Sequence, residues 1–150
     1  MKDLDLEEYR SLAEFRYQIR RFLGFSEEQV RAAGMEPQQH QLLLALKGLP
    51  EGVISTIGEL AGRLQLKHHS TVELVNRLER LGYVTREAGA EDRRQVMVRL
   101  THPGAGILRK LSIAHHQELE VAGPQLAKAL RTIARQHAAR KHGARKRSVA

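Results

Sequence analysis

Residues 56–82 limit the fold more tightly than any other stretch. In "TIGELAGRLQL", Ile57, Leu60, Ala61 and Leu64 recur at spacings of three and four, which makes one apolar face of a short helix. Thr56 and Glu59 at its start fit a capping box, in which side chains satisfy the first unpaired amides. Three or four residues later "HSTVELVNRLERLG" begins a second helix, with Leu74, Val75, Leu78 and Leu81 inward and Gly82 as its stop. Two short helices with so tight a turn form a helix-turn-helix. Beyond Gly82 the period drops to two. "YVTRE" and "QVMVRL" alternate and are β-branched, with Val96, Val98 and Leu100 on one side, and the polar "AGAEDRR" between them reads as a hairpin tip.

The flanks are helical. Leu12, Phe15, Ile19 and Phe22 form one apolar stripe, and "FSEEQVRAAG" reads as a separate short helix with Ser26 as cap and Gly34 as stop. Pro37 suits the first turn of a helix through "PQQHQLLLALKGL", whose nearly continuous apolar middle predicts burial on more than one side. After the hairpin, Thr101 is a candidate cap and Pro103 a first-turn residue of a long helix carrying Ile107, Leu108, Leu111 and Leu119. Gly123 and Pro124 are expected to break or kink it before it resumes with Leu126, Leu130, Ile133 and His137 on one side. The predicted class is therefore mainly α with a small β-hairpin, an α+β chain.

Charge excludes less than it first suggests. The net charge is +8, but the last twenty residues hold seven Arg or Lys and no acid, so residues 1–130 are close to neutral with 18 basic against 17 acidic side chains. The chain has no cysteine, which excludes thiolate zinc sites, iron-sulfur clusters and thiol chemistry. "MKDLDLEEYR" lacks the apolar segment of a signal peptide, and no apolar run approaches the roughly 18 residues that span a bilayer, so a cytoplasmic protein without membrane contact is expected.

The residues from "RLERLGYVTRE" through "EDRRQVMVRLT" to "PGAGIL" resemble the winged helix of the MarR family of bacterial transcription regulators, and the resemblance covers nearly the whole chain. Its most specific elements are the "LxxLGYVxR" passage and the Asp-Arg-Arg wing followed by "VMVRLT". The resemblance implies a winged helix-turn-helix homodimer, assembled through terminal helices, that binds pseudopalindromic double-stranded DNA and often releases it when a small ligand binds. A ligand-responsive repressor is the expectation. The implied layout is a helical dimerisation region at 1–36 and 102–142, a DNA-binding region at 37–101 and a basic, disordered tail at 143–150. A final helix that reads as short, and the basic tail itself, depart from the family pattern. By resemblance, Arg94 enters the minor groove, Arg93 contacts phosphate, and Asp92 either holds the arginine or braces the wing.

The residues alone reach a compatible place. On a helix beginning near His68 or His69, turning about 100° per residue, His69, Ser70, Glu73, Asn76, Arg77 and Arg80 share a face opposite the leucines. Those groups suit base edges and phosphates, and the helix start around Lys67, His68 and Thr71 would present free amides to phosphate. A helix starting at Ser70 instead makes Ser70 and Glu73 a capping box and moves the reading face to Asn76, Arg77 and Arg80. The plainest alternative for this face is a solvated one with pairs such as Glu73 with Arg77.

Other chemistries fit poorly. His68 and His69, like His115 and His116, diverge by about 100° on a helix and cannot share a metal as an i, i+4 pair would, and no metal or cofactor is expected. Ser70 and Thr71 lie beside histidines only in sequence, and there is no Gly-rich phosphate loop or Gly-x-Ser-x-Gly, so an enzyme is not expected. Arg16, Arg20 and His40 are candidates for holding an anionic aromatic effector in the crevice that the family uses for ligands. The rival reading is a winged-helix protein-interaction or nonspecific nucleic-acid module driven by the tail.

Overall fold

Where the sequence suggests two N-terminal helices, the chain forms one. The computed structural model describes the backbone of residues 3–147 and the side chains of residues 3–139. Its elements are α1 (Leu6–Ala32), α2 (Pro37–Lys47), α3 (Ile57–Leu64), α4 (His68–Arg80), β1 (Val84–Ala88), β2 (Val96–Leu100) and α5 (His102–Arg147). Gly24 costs α1 only about 1 kcal/mol of helix propensity, too little to end a helix without a proline. Ser26, the expected cap, is a buried residue inside α1. The basic tail expected at 143–150 lies outside the residues whose side chains are described.

The chain divides into two compact units, Met1–Ser26 with His115–Ala150, and Glu27–Ala114. In the second unit Leu42 and Leu43 of α2, Leu60 of α3, Val75 and Leu78 of α4, Val84 of β1 and Val98 of β2 belong to one buried cluster. Val30 at the end of α1, and Leu108 and Leu111 at the start of α5, join it. That is why this unit extends beyond the 37–101 expected from sequence. α2 is buried at Gln39, His40, Leu42 and Leu43, while Leu44 is exposed, so its apolar middle does not mean burial all round.

Local signals explain the element ends. Thr56 caps α3 by accepting the Glu59 amide at 3.2 Å, whereas the Glu59 carboxylate takes Arg63 at 2.8 Å. α4 closes in a Schellman motif: the Tyr83 amide donates to Leu78 and the Gly82 amide to Glu79, both at 2.9 Å, with Gly82 at φ 74°. Leu81, expected inward, is the exposed cap residue at this turn.

β1 and β2 pair antiparallel with Val84 opposite Leu100 and Ala88 opposite Val96. Val96, expected on the same side as Val98, is exposed because the hairpin leaves the core towards its tip, while Val98 is fully buried. The segment before α3 adds a further edge that the sequence reading missed. The Val98 amide donates to the Ser55 carbonyl at 2.9 Å, the Ser55 hydroxyl donates to the Val98 carbonyl at 2.7 Å, and Thr56 bridges Met97.

α5 begins on a tight contact. The Thr101 hydroxyl donates to the Gly82 carbonyl at 2.6 Å and accepts the Gly104 amide at 3.1 Å. The helix is continuous through Pro124 and 46 residues long, which corrects both the expected break and the short final helix. Pro124 is exposed, so the carbonyl it leaves without a donor can be hydrated. His115, Ala122 and Ala129, seven residues apart, are buried in the first unit, and Gln136 at the next such step donates to the Ser11 hydroxyl at 2.9 Å. Of the expected stripe, Leu126 and Ile133 are half-buried while Leu130 and His137 are exposed.

Candidate nucleic-acid interface

The start of α4 answers the question of register. Lys67 is the N-cap and His68 the first helical residue, which makes Ser70 the third. No side chain caps this end and its first turn holds no acid, so the Ser70–Glu73 capping box does not form. An uncapped N-terminus presents its first amides outward and favours an anion. Lys67, His68 and His69 are exposed around it, as are Glu73, Arg77 and Arg80 further along, with Ser70 and Asn76 half-buried. Thr71 leaves the expected set: its side chain is 0% exposed and its hydroxyl donates to the Lys67 carbonyl at 3.2 Å. It shares the inward stripe with Leu74, Val75 and Leu78.

Two contacts absent from the sequence reading organise this face. Arg86 on β1 reaches α4, pairing with Glu79 and donating from Nη2 to Asn76 Oδ1 at 2.7 Å. Asn76 Nδ2 in turn lies 3.4 Å from Glu73 Oε1. A signal was present, since the alternation that turns Val84 inward also turns Arg86 inward, and an arginine on an apolar side needs a partner. Arg77 Nη1 lies 3.3 Å from Glu36 Oε2, with the two side chains 52% and 63% exposed. A pair so exposed contributes about 0–1 kcal/mol, so little holds Arg77 away from a better acceptor.

The wing is shaped by its own backbone. Gly89 donates to Gln95 at 2.8 Å, Gln95 to Asp92 at 3.0 Å, and Asp92 Oδ1 accepts the Arg94 amide at 2.9 Å. Asp92 thus braces the turn, and Arg93 and Arg94 are both exposed at the tip.

The expected effector residues are divided between the two units. Arg16 and Arg20 are exposed on α1 in the first unit, one helical step apart. His40 is in the second unit and 1% exposed, so a ligand could touch it only after the core around it opened. A cavity of about 300 Å³ within the first unit is lined instead by Arg10, Glu14 and Lys128 among others. Among the described residues no group of three or more His, Asp or Glu could hold a metal ion, and no helix is long and apolar enough to cross a membrane.

Comparisons with known proteins agree with this architecture. The MarR family model matches residues 33–95. No curated protein matches the chain in sequence. Among solved structures, AbsC, a MarR family transcriptional regulator from Streptomyces coelicolor, is 21% identical with a TM-score of 0.70, covering 93% of this chain and 99% of that one. A MepR variant from S. aureus bound to an oligodeoxyribonucleotide is 18% identical with a TM-score of 0.61, covering 87% and 94%. BpsR from Bordetella bronchiseptica, in a structure concerning regulation of its DNA binding by 6-hydroxynicotinic acid, is 16% identical with a TM-score of 0.61, covering 82% and 89%. Residues 33–95 thus match the MarR family model, and the fold of the chain around them is that of the MarR family winged-helix structures.

Proposed function

We propose that this chain is a sequence-specific double-stranded DNA-binding transcription regulator, acting as a homodimer on a pseudopalindromic operator and releasing it to a small anionic aromatic effector. The observation that carries this is the exposed polar face of α4, continuous from an uncapped helix start to Arg80, with two exposed arginines on the wing of the same unit. Such a helix fits a major groove, where arginine pairs with guanine, carboxylate with cytosine, and amides and Lys67 hold phosphate. The MepR variant's oligodeoxyribonucleotide and BpsR's response to 6-hydroxynicotinic acid support the two halves of the reading. Repression is the direct consequence of a dimer that covers its operator until the effector favours another spacing of its DNA-binding lobes.

A second copy is supported by what the first unit leaves uncovered. Leu6, Tyr9, Tyr17, Val121 and Leu130 are all more than half exposed, Val121 at 76%. Large apolar side chains in such number mark an association surface. Sedimentation at micromolar concentration should give a dimer, and a monomer there would remove the symmetric mechanism.

The deciding experiment selects bound fragments from genomic DNA. A two-fold symmetric motif is expected, with half-site centres roughly one turn, about 10 base pairs, apart. If unrelated duplexes bind equally well, and binding disappears on removal of residues 138–150, the tail-driven reading replaces this one. The wing has its own test. Arg94→Ala should weaken binding chiefly on operators with A·T-rich flanks, because a minor-groove arginine reads narrow width and negative potential. An equal loss on G·C-rich flanks reduces Arg94 to a phosphate contact.

A further inference from the structure

Arg86 reaches α4 with both arms of its guanidinium, and the two arms do different things. One pairs with Glu79, which by itself would tie β1 to the helix. The other meets the side-chain amide of Asn76 at 2.7 Å. Arginine has only donors, so the atom it meets must be the amide oxygen. Asn76 Nδ2 is thereby turned to the other side, where its neighbour is Glu73 Oε1 at 3.4 Å. An unconstrained asparagine on a recognition helix reads adenine with both ends of the amide, oxygen accepting and nitrogen donating. Here the accepting end is turned towards β1, with one of its two lone pairs held by Arg86. Arg86 is mostly covered, its side chain 26% exposed, so the arrangement is held on the protein side before any DNA arrives.

We propose that Arg86 is a specificity-positioning residue: by holding Asn76 Oδ1 it presents Asn76 to the DNA as a donor only. This rests on the DNA-binding reading above. A donor alone can meet any base edge with an acceptor, guanine N7 and O6, thymine O4 or adenine N7, and gains nothing from the bidentate geometry that singles out adenine. Glu73, beside the amide, supplies the complementary acceptor for a neighbouring cytosine or adenine amino group. The pair Glu73 and Asn76 then reads as fixed acceptor and fixed donor rather than as two rotating groups.

Arg86→Lys separates positioning from anchoring. A lysine keeps one charge for Glu79 but, with its three donors on a single nitrogen, lacks the planar fork whose two arms reach Glu79 and Asn76 separately. Wild type, Arg86→Lys, Asn76→Ala and the double variant are each used to select from a duplex library with a randomised core, with melting temperatures recorded in parallel. Asn76→Ala identifies the base pair that Asn76 reads. At that pair wild type should show no preference for adenine over guanine or thymine, and Arg86→Lys should shift selection towards adenine by roughly tenfold, within the range of one bidentate contact. Melting temperature and binding to unrelated duplexes should stay close to wild type, and Arg86→Lys should change nothing further in the Asn76→Ala background. The proposal is overturned if Arg86→Lys keeps the wild-type preference at that pair, or shifts preference equally with and without Asn76. It is also overturned, with the DNA-binding reading intact, if wild type selects a motif in which Asn76→Ala changes no position. A wild type that selects no motif at all removes both.

Discussion

Gly104→Ala should destabilise the protein by about 3 kcal/mol, the upper part of the usual overpacking range, and lower its melting temperature by on the order of 10 °C. A Cβ at this position would stand 2.0 Å from the Tyr83 carbonyl oxygen and 2.9 Å from its carbon. That neighbour is backbone and cannot rotate away. It is also fixed at both ends, since Tyr83 donates to Leu78 at the close of α4 and its carbonyl accepts the Thr101 amide at 3.1 Å. The methyl must therefore push the start of α5 off the end of α4, breaking the Thr101 hydroxyl's bonds to Gly82 and Gly104. Gly106→Ala is the matched control. It lies in the same helix with nothing within 4 Å of an added Cβ, and the gain in helix propensity should make it neutral or stabilising by up to about 1 kcal/mol. Thermal unfolding of the two variants decides the matter, and equal melting temperatures would mean that the contact yields without cost.

The same junction shows what can be read from a sequence of this kind. Thr56, Gly82 and Pro103 act on neighbours within a few residues, as Thr101 does in accepting the Gly104 amide, so these roles follow from spacing alone; the Thr101 bond to Gly82, 19 residues away, does not. Periodicity likewise places Leu74, Val75 and Leu78 inward, and applied consistently it would have taken Thr71 with them. It is a poorer guide where a local breaker competes with packing. Ser26 reads as the start of a new helix and Pro124 as a break, yet α1 and α5 pass through them. The apolar residues on either side continue one buried stripe, Phe22 and Phe25 both setting ring edges against His115 at 6.4 Å.

Of the interface, the exposed positions of α4 and the wing were legible, and the groups that orient them were not. Arg86 is ten residues from Asn76, and Glu36 is 41 residues from Arg77. Neither pairing has a sequence period, because each depends on how β1 and the start of α2 come to lie beside α4. The burial of His40 is of the same kind: a polar residue in an apolar run shows its environment only once the run is packed.

Arg77→Ala should produce the largest change in DNA binding of any single substitution on the reading face. One arginine pairing with guanine is worth about 1–3 kcal/mol of discrimination. On a two-fold operator the substitution removes that contact from both half-sites, so the expected loss is about 2–6 kcal/mol, roughly 30-fold to 10⁴-fold in dissociation constant. Stability should hardly respond, because the pair Arg77 leaves, with Glu36, is exposed on both sides. Fluorescence titration of the selected operator and an unrelated duplex at several salt concentrations separates the possible roles. A base contact costs operator affinity and leaves the unrelated duplex nearly untouched. A phosphate contact weakens both alike and reduces the salt slope by about one per arginine, two for the dimer. Unchanged operator affinity would take Arg77 off the reading face and leave Arg80, which has no ion-pair partner among the described residues, as the guanine reader of α4.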